Sequence, residues 1–325
     1  MSQPIPHVPL RRCSIGIDVA KDSFQAANAP ETDNISFAYD AAGIKALLQW
    51  LDGFSVDLIV LESTGGYQRR LVAALSGAGY PVVVANPRQV RAFAKAMGIL
   101  AKSDPIDART IARFAAIIKP QVRPLPDAQQ QRLADLSTRR TQLVNMRTQE
   151  QNRLAQAADR DLVKSIERQI KQFDKEIAKI EMLTEKALEA CPDAAFKAVE
   201  LDKNKGVGKV SSIALVAAMP EIGTLSRQKA AALAGLAPFN FDSGKFKGQR
   251  HIWGGRASVR RILYMIALSA IRFDQDMRDF YQQLQARGKK KKSALTAVMR
   301  RMLVRLNARL RDALALRDSN SPKTT

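Results

Sequence analysis

The sequence is short of cysteine, histidine and long apolar runs, and each shortage excludes a class of protein. Its two cysteines, Cys13 and Cys191, stand far apart with no partner motif, which excludes a disulfide framework and a cysteine-ligated zinc site. With two histidines in 325 residues, any bound metal must have oxygen ligands, which favours Mg²⁺ or Mn²⁺. No apolar run reaches membrane-spanning length and residues 1–12 lack an apolar signal core, so we expect a cytoplasmic protein with no membrane partner.

Basic residues, in contrast, are abundant and concentrated. Lys and Arg total 52 against 31 Asp and Glu, a formal net charge of +21, which points to a polyanionic partner. Residues 191–325 alone hold 26 basic and 10 acidic side chains, whereas residues 1–126 hold 14 and 10. Contacts with the phosphates of a nucleic acid explain such a concentrated excess better than a solubility effect does.

The first part of the chain, residues 12–126, alternates strand-like and helix-like patterns. We predict strands at 13–19, 23–29, 34–39, 58–62 and 81–85, and helices at 43–51, 68–76, 88–97 and 105–118. This order predicts a mixed α/β sheet domain. Three prolines, Pro120, Pro124 and Pro126, would close it with a stiff linker.

Residues 127–190 form a predicted helical spacer. From 128 to 190 the chain contains no Gly or Pro, and one apolar seam has spacings of four and three: Ile166, Ile170, Phe173, Ile177 and Ile180. One interpretation is a coiled coil that dimerises or holds two catalytic domains apart. The other is a helical hairpin packed on its own chain, which would show the same seam.

Residues 191–325 are predicted to form a basic, mainly helical domain. Helices fit 211–218 and 227–234, an irregular stretch follows from 238 to 255, and long basic helices fit 258–285 and 293–316. The predicted fold class is therefore α/β plus all-α.

Four acidic residues of the first domain stand where their side chains can converge. Asp18 ends the first predicted strand and Glu62 the fourth, while Asp104 and Asp107 project from one face of the first turn of the last helix. If the first and fourth strands are neighbours, the four negative charges lie close together and repel one another unless cations are bound. Two Mg²⁺ ions can activate a nucleophile that attacks a phosphodiester. Taken singly, each residue also has a structural alternative. Asp104 and Asp107 suit a helix N-terminus, Asp18 could cap a turn, and Glu62 could be a surface carboxylate.

The last domain contains a polar, glycine-punctuated segment around Ser243. Its neighbours Lys245, Lys247, Arg250 and Arg256 would attract a phosphate and stabilise charge as the serine displaces it. A phosphoserine bond would conserve the energy of the broken linkage for rejoining. No general base is evident from the sequence, and a Ser-Gly turn is the plain structural alternative.

Two further features of this domain suit nucleic acid. The turn Gly206-Val207-Gly208, which opens a helix, resembles a helix-hairpin-helix, whose backbone amides grip phosphate. A lysine run precedes an arginine-rich helix, and together they form an expected nucleic-acid face. With the residues around Ser243, the expected nucleic-acid-binding set is Lys245, Lys247, Arg250, Arg256, Arg260, Arg261, Lys289, Lys290, Lys291 and Lys292.

Over nearly its full length the chain resembles the insertion-sequence one-ten family of transposases, which are bridge-RNA-guided DNA recombinases. The family's acidic motifs match IGIDVAKD at Asp18, LESTGGY at Glu62, and KSDPIDA at Asp104 and Asp107. Its serine motif matches DSGKFKGQRHIWGGRASVRRILY. One departure is Lys205, where the family often has proline, and it weakens only the helix-hairpin-helix analogy.

The resemblance implies an RNase H/RuvC-like domain at 12–126 with a metal-binding D-E-D-D set, a coiled-coil spacer at 127–190, and a transposase domain at 191–325 with Ser243 as nucleophile. It also implies Mg²⁺ or Mn²⁺, donor and target DNA, a structured bridge RNA, and a homo-oligomer, dimeric or tetrameric in the synaptic complex. The host would be bacterial, with the protein acting on the nucleoid. The carboxylates completing the site could come from another subunit.

Two other functions fit the same features and predict different results. A structure-specific nuclease would use the four carboxylates to activate water and would keep full activity after Ser243→Ala. A non-catalytic RNA-protein scaffold would tolerate replacement of Asp18 or Glu62. The four co-placed carboxylates argue against the scaffold, and the complete serine motif argues against the nuclease.

Overall fold

The computed structural model describes residues 11–30, 33–63, 65–99, 104–122, 127–239, 242–243, 246–247 and 251–320. The chain divides into an N-terminal unit, Met1–Leu125, and a C-terminal unit, Pro126–Thr325. The second unit contains both the predicted spacer and the last third of the chain, so the three-domain division stays a prediction. Among the described helices, none is both long and apolar enough to span a bilayer.

The N-terminal unit contains all the strands and helices predicted for it. In chain order these are β1 (Arg11–Val19), β2 (Ser23–Ala29), β3 (Asn34–Ala38), α1 (Ala41–Leu51), β4 (Phe54–Glu62), α2 (Gln68–Gly77), β5 (Val82–Ala85), α3 (Pro87–Ala96) and α4 (Asp104–Ile118). Side-chain caps set two of the helix starts, because Asp40 accepts from the amide of Gly43 at 2.7 Å and Asn86 from that of Arg88 at 2.9 Å.

The described strands form one mixed sheet in the order β3-β2-β1-β4-β5. β1 pairs antiparallel with β2 and parallel with β4, and β4 pairs parallel with β5. The prediction of a mixed α/β sheet is confirmed, and its order is consistent with an RNase H-like domain. It also meets the condition set for the acidic cluster, since the first and fourth strands are neighbours.

Alternate residues of the sheet pack against different helices. Ile17 and Leu61 belong to an apolar cluster that includes Leu47 of α1 and Leu71 of α2. On the opposite face, Val60 packs in a cluster with residues of α4. Because side chains alternate along a strand, even-numbered residues of β1 and β4 face α4.

A glycine lets α4 lie directly on β1. A Cβ atom added to Gly16 would stand 2.1 Å from the backbone nitrogen of Ala112 and 2.5 Å from the carbonyl oxygen of Ala108. Any side chain at this position would therefore push the helix off the sheet. The small residues Ala27, Ala29, Ala108 and Ala112 continue the same close contact onto β2.

The C-terminal unit is mainly helical, as predicted. Its helices are α5 (Ala128–Leu154), α6 (Arg160–Glu189), α7 (Pro192–Asp202), α8 (Lys209–Ala218), α9 (Arg227–Leu233), α10 (Ala257–Phe273), α11 (Gln275–Ala286) and α12 (Lys291–Asn320). Its short strands are β6 (Pro238–Phe239), β7 (Asp242–Ser243), β8 (Phe246–Lys247) and β9 (His251–Ile252). One apolar core joins Leu133 of α5 to Leu201 of α7, Leu263 of α10 and Leu303 of α12.

The predicted apolar seam lies in a helical hairpin within the chain. Arg140 of α5 pairs with Glu181 of α6 at 2.6 Å, and Arg147 pairs with Asp174 at 2.8 Å, so the two helices run antiparallel. In the seam, Ile166 and Ile177 are buried and the other members are half-buried. The hairpin interpretation therefore accounts for the seam, and a coiled coil with a second copy stays a prediction.

The single helix predicted at 258–285 is wrong, because Asp274 divides it into α10 and α11. The backbone of Asp274 is extended, and its side chain accepts from the amide of Met277 at 3.4 Å, as an N-cap residue does. The same buried carboxylate forms an ion pair with Arg305 of α12. A long-range partner thus makes this aspartate a helix start, and the apolar spacing around it does not reveal that.

We expect Asp274→Asn to lower the free energy of unfolding of this unit by about 3 kcal/mol at pH 7, because it leaves Arg305 without its buried counter-ion. Burial alone would raise the pKa of Asp274, but the bond and charge of Arg305 outweigh it, so that pKa lies below its usual value. The stabilisation is therefore present above about pH 4 and lost as the pH falls through the lowered pKa. Urea unfolding of both proteins at pH 7 and pH 3 measures this. Asp279→Asn, an exposed change in the same helix, is the control.

Candidate active site

Two of the predicted metal-binding carboxylates lie side by side at the end of the sheet. Gly16 and Ile17 of β1 pair with Val60 and Leu61 of β4, so Asp18 and Glu62 continue the same parallel register. Both belong to the even-numbered set that faces α4, and both are half-buried. This sheet edge, formed by the carboxyl ends of β1 and β4, is where the sequence predicted the acidic cluster.

The other two carboxylates lie at the start of α4. Asp107 is half-buried and precedes Ala108, whose carbonyl contacts the Gly16 position, so the first turns of α4 lie on the face that carries Asp18 and Glu62. Of Asp104 the structure describes only the backbone, and α4 begins at this residue. Among the described side chains, no three acidic, histidine or cysteine groups stand close enough together to hold a metal ion. The four residues predicted as ligands are all carboxylates, the ligand type that a hard cation such as Mg²⁺ prefers, and their role as ligands stays a prediction.

A glycine turn follows Glu62 and leads into α2. The amide of Ser63 donates to the carbonyl of Ala85 at 3.2 Å, which extends the sheet by one bond beyond Glu62. Gly65 and Gly66 have φ values of 62° and 117°, in the region that glycine adopts without steric cost. The strand end and the turn thus fix the backbone of Glu62 on both sides.

Ser243 lies in β7, a short strand within the stretch 238–255 that the sequence predicted to be irregular. β6 pairs antiparallel with β9, and β7 pairs antiparallel with β8, as two separate two-stranded sheets. We call the segment that contains both pairs, residues 238–252, the ribbon. Ser243 pairs with Phe246, so two residues separate it from its partner strand. Strands of two residues are too short to show alternation, which is why the sequence pattern did not predict them. The description of Ser243 and Lys247 covers the backbone alone, and Lys245 and Arg250 lie outside the described residues.

The base of the Ser243 ribbon is clamped to the helices. Arg256 donates hydrogen bonds from its two terminal guanidinium nitrogens to the carboxylate of Glu221, at 2.8 and 2.6 Å. It also donates to the carbonyl of Ala218 at 3.0 Å. Arg260 donates to the carbonyls of Ala234 and Gly254. A nucleic-acid role for these two arginines stays a prediction, and each has a structural role here. Sequence reasoning missed Glu221, because it lies 35 residues from its partner and no local pattern marks it.

The glycines at the same base bring the two ends of the ribbon segment together. A Cβ atom on Gly255 would stand 2.1 Å from the nitrogen of Gly235, and the amide of Arg256 donates to the carbonyl of Leu233 at 2.8 Å. The segment between Gly235 and Gly255 therefore leaves and re-enters the helical core at one point. Together with the two arginines, these contacts form what we call the ribbon clamp.

The remaining predicted nucleic-acid residues are exposed. Arg261 lines a cavity of about 330 Å³ between α5 and α10, with Ser137, Thr141 and Gln142 on the opposite wall. The four lysines, which are all exposed, stand at the start of α12: Lys289, Lys290, Lys291 and Lys292. Positive charge at a helix N-terminus is unfavourable, and a bound phosphate would relieve it.

The glycine pair of the predicted helix-hairpin-helix joins α7 to α8. Gly206 has a φ of 87°, and a Cβ atom there would stand 2.6 Å from the Cα of Ala270 in α10. A Cβ atom on Gly208 would meet no heavy atom within 4 Å. Gly206 therefore serves packing against α10, and phosphate binding at this turn stays a prediction.

Two family models match this chain. Residues 15–163 match a transposase model of the DEDD type of IS110, and residues 199–282 match a model described as transposase IS116/IS110/IS902 family. The first match contains all four carboxylates, and the second contains Ser243 and the ribbon clamp. IS110 is the insertion-sequence one-ten family that the sequence motifs resemble.

Similar proteins agree with these matches. The chain is 27% identical to the pilin gene-inverting protein of Moraxella lacunata over 305 residues, which cover 89% of this chain and 92% of that protein. It is 28% identical to the pilin gene-inverting protein of Moraxella bovis over the same shares. A segment of 90 residues, 27% of this chain and 22% of the relative, is 39% identical to an insertion element IS900 42 kDa protein of Mycobacterium paratuberculosis. The chain therefore belongs to the IS110 family of transposases, enzymes that act on DNA.

Proposed function

We propose that this transposase cuts and rejoins DNA through a phosphoserine intermediate at Ser243, assisted by Asp18, Glu62, Asp104 and Asp107. The observation that carries the proposal is the parallel register of β1 and β4, which makes Asp18 and Glu62 neighbours on the face covered by α4. Both carboxylates are half-buried at the end of the sheet. They suit the binding of a cation and a phosphodiester.

Ser243 is the proposed nucleophile. Its Oγ forms a bond to phosphorus while one P–O bond of the DNA backbone breaks, and the displaced oxygen leaves as a hydroxyl carrying the proton that the serine lost. In the reverse direction, the hydroxyl of a second strand attacks the phosphoserine and frees Ser243. The number of phosphodiester bonds is conserved, so no external energy source is needed. The ribbon clamp would hold Ser243 in position for both steps.

The proposed cation is Mg²⁺ or Mn²⁺, with Asp18, Glu62, Asp104 and Asp107 as its ligands. When bound, the cation would supply a positive charge that stabilises the developing negative charge on phosphate oxygens. The carboxylates of one chain would serve Ser243 of the same chain or of another copy. We further propose that the functional form is a dimer or a tetramer, acting on bacterial DNA in the cytoplasm.

A structured guide RNA is the proposed source of target choice. The excess of basic residues in 191–325, 26 against 10 acidic, agrees with simultaneous binding of RNA and DNA. The exposed lysines at the start of α12 and Arg261 beside its cavity are among the described basic groups open to phosphates.

A search for a covalent protein–DNA adduct tests this function. The chain is expressed with its native flanking DNA, so that any guide RNA is transcribed, and is supplied with donor and target DNA and Mg²⁺. We expect a band of protein-bound DNA on denaturing gels, attached at Ser243 by peptide mass spectrometry and lost with EDTA or ribonuclease. Cleaved DNA without an adduct would make the protein a metal-dependent nuclease. Uncleaved DNA bound with RNA would make it a scaffold.

A further inference from the structure

Exposed aromatic residues lie at the β6–β9 pair, in the same segment of the chain as Ser243, and the chemistry above does not use them. We call Phe239, His251 and Trp253 the aromatic patch. Phe239 is 49% exposed and Trp253 is 62% exposed, whereas large aromatic side chains normally bury most of their area. An exposed group of this kind marks a site of interaction.

Two residues of the aromatic patch are direct partners in the ribbon. Phe239 is the partner of His251 across the β6–β9 pair, so these two side chains share one face. Trp253 directly follows the end of β9, two residues after His251. Two exposed aromatic rings and an exposed imidazole therefore belong to this one strand pair and the residue that follows it.

The ribbon clamp anchors the chain next to Trp253. Gly254, which follows Trp253, accepts from the guanidinium of Arg260, and Gly255 abuts Gly235. Exposed rings on an anchored backbone lose less conformational freedom when a ligand stacks on them. This anchoring favours the binding of a flat ligand.

The charge of the surrounding sequence indicates the chemistry of that ligand. Between residues 238 and 261 the sequence has six basic residues and one acidic residue. Arg256 is already paired with Glu221 and Arg260 with two carbonyls. The remaining cations of this segment are Lys245, Lys247, Arg250 and Arg261. A second copy of this surface would bring like charges together, which disfavours self-association here. Cations beside exposed aromatic faces are the combination that binds single-stranded nucleic acid, with bases stacked on rings and phosphates on cations.

We propose that the aromatic patch stacks on unpaired bases of the DNA strand whose phosphate Ser243 attacks. The inference rests on the proposed function for the identity of that strand. Three residues lie between Phe239 and Ser243, so their Cα atoms lie within about 14 Å of each other whatever path the chain takes. A base stacked on Phe239 would therefore be only a few nucleotides from the reacting phosphate. Stacking there would hold the cut strand in place until it is rejoined.

Tryptophan fluorescence tests the stacking directly. The chain has two tryptophans, and Trp50 lies in the N-terminal unit, where its ring packs 4.9 Å from that of Phe54. In a Trp50→Phe, Ser243→Ala protein, the emission comes from Trp253 and the nucleophile is absent. Titration with a 12-nucleotide oligothymidylate at low salt is expected to quench this emission by about half or more. A duplex of the same length is expected to quench it much less, because its bases are already stacked.

Binding measurements on variants separate stacking from charge. Trp253→Leu keeps apolar bulk but lacks a ring, and it is expected to weaken binding of the labelled oligothymidylate about 5- to 100-fold by fluorescence anisotropy, while Trp253→Tyr restores most of it. The matched control is Phe273→Ala, which removes a ring that is 69% exposed elsewhere in the same unit. Circular dichroism checks that each variant is folded.

Three results would overturn this inference. Equal quenching by single strand and duplex would mean contact with phosphates alone. Emission that changes with protein concentration in the absence of DNA would make the aromatic patch an interface between copies. Unchanged emission and unchanged affinity would leave it without a nucleic-acid role. Because the protein used lacks Ser243, the result does not depend on whether the serine is the nucleophile.

Discussion

Replacing Ser243 with alanine is expected to abolish the covalent protein–DNA adduct and to lower recombination at least about a thousandfold. The reason is chemical: alanine has no oxygen to form the ester to phosphorus, and no other route conserves the broken phosphodiester for rejoining. Recombinant DNA junctions counted by quantitative amplification measure the loss, and denaturing gels measure the adduct. Binding to donor and target DNA is expected to stay within about twofold of the original protein.

The matched control for this change is Ser319→Ala, an exposed serine near the end of α12. It is expected to keep full recombination, because its hydroxyl donates to the carbonyl of Leu316 in its own helix at 2.8 Å. Asp18→Asn gives the complementary comparison: it keeps the serine, and it is expected to lose the adduct while still binding DNA. Cleavage that persists in Ser243→Ala and disappears in Asp18→Asn would instead identify a nuclease in which the carboxylates activate water.

In the N-terminal unit the sequence predicts each strand and helix, because local features of the sequence indicate each of them. Turn residues separate β1, β2 and β3, and an apolar run identifies β4. Local patterns do not reveal which strands are neighbours, since the pairing of β1 with β4 joins residues more than forty positions apart. From the sequence alone, Asp18 and Glu62 converge only if β1 and β4 are neighbouring strands. The parallel register of β1 and β4 shows that they are.

In the C-terminal unit the parts that could not be predicted depend on contacts between distant residues. Asp274 ends α10 because Arg305, on another helix, binds its carboxylate. The bond of Arg256 to Glu221 likewise fixes the ribbon base through a partner that precedes α9 in the chain. Both arginines look like phosphate-binding residues when only the sequence is read. Composition shows how many cations a chain has, but it does not show which of them are already paired.

The close contact of β1 with α4 leads to the second large effect, which is expected for Gly16→Ala. One added methyl group would stand 2.1 Å from the nitrogen of Ala112 and 2.5 Å from the oxygen of Ala108. Both are backbone atoms, which cannot rotate away as a side chain can, so the helix must shift as a whole. The start of α4, with Asp107, would move relative to Asp18 and Glu62. We expect the N-terminal unit to lose about 3 kcal/mol or more of stability, and recombination to fall even where the unit stays folded.

Denaturant unfolding followed by circular dichroism, together with the recombination assay, measures both effects of Gly16→Ala. The matched control is Gly77→Ala in α2, where an added Cβ meets no heavy atom within 4 Å, and alanine favours a helix over glycine by up to about 1 kcal/mol. The control is therefore expected to be as stable as the original protein or slightly more so, with full recombination. If Gly16→Ala behaved like Gly77→Ala, the position of α4 on β1 would not matter for the acidic cluster. If it lost recombination without losing stability, the geometry of the carboxylates would be the sensitive quantity, because α4 would have moved at little cost to the core.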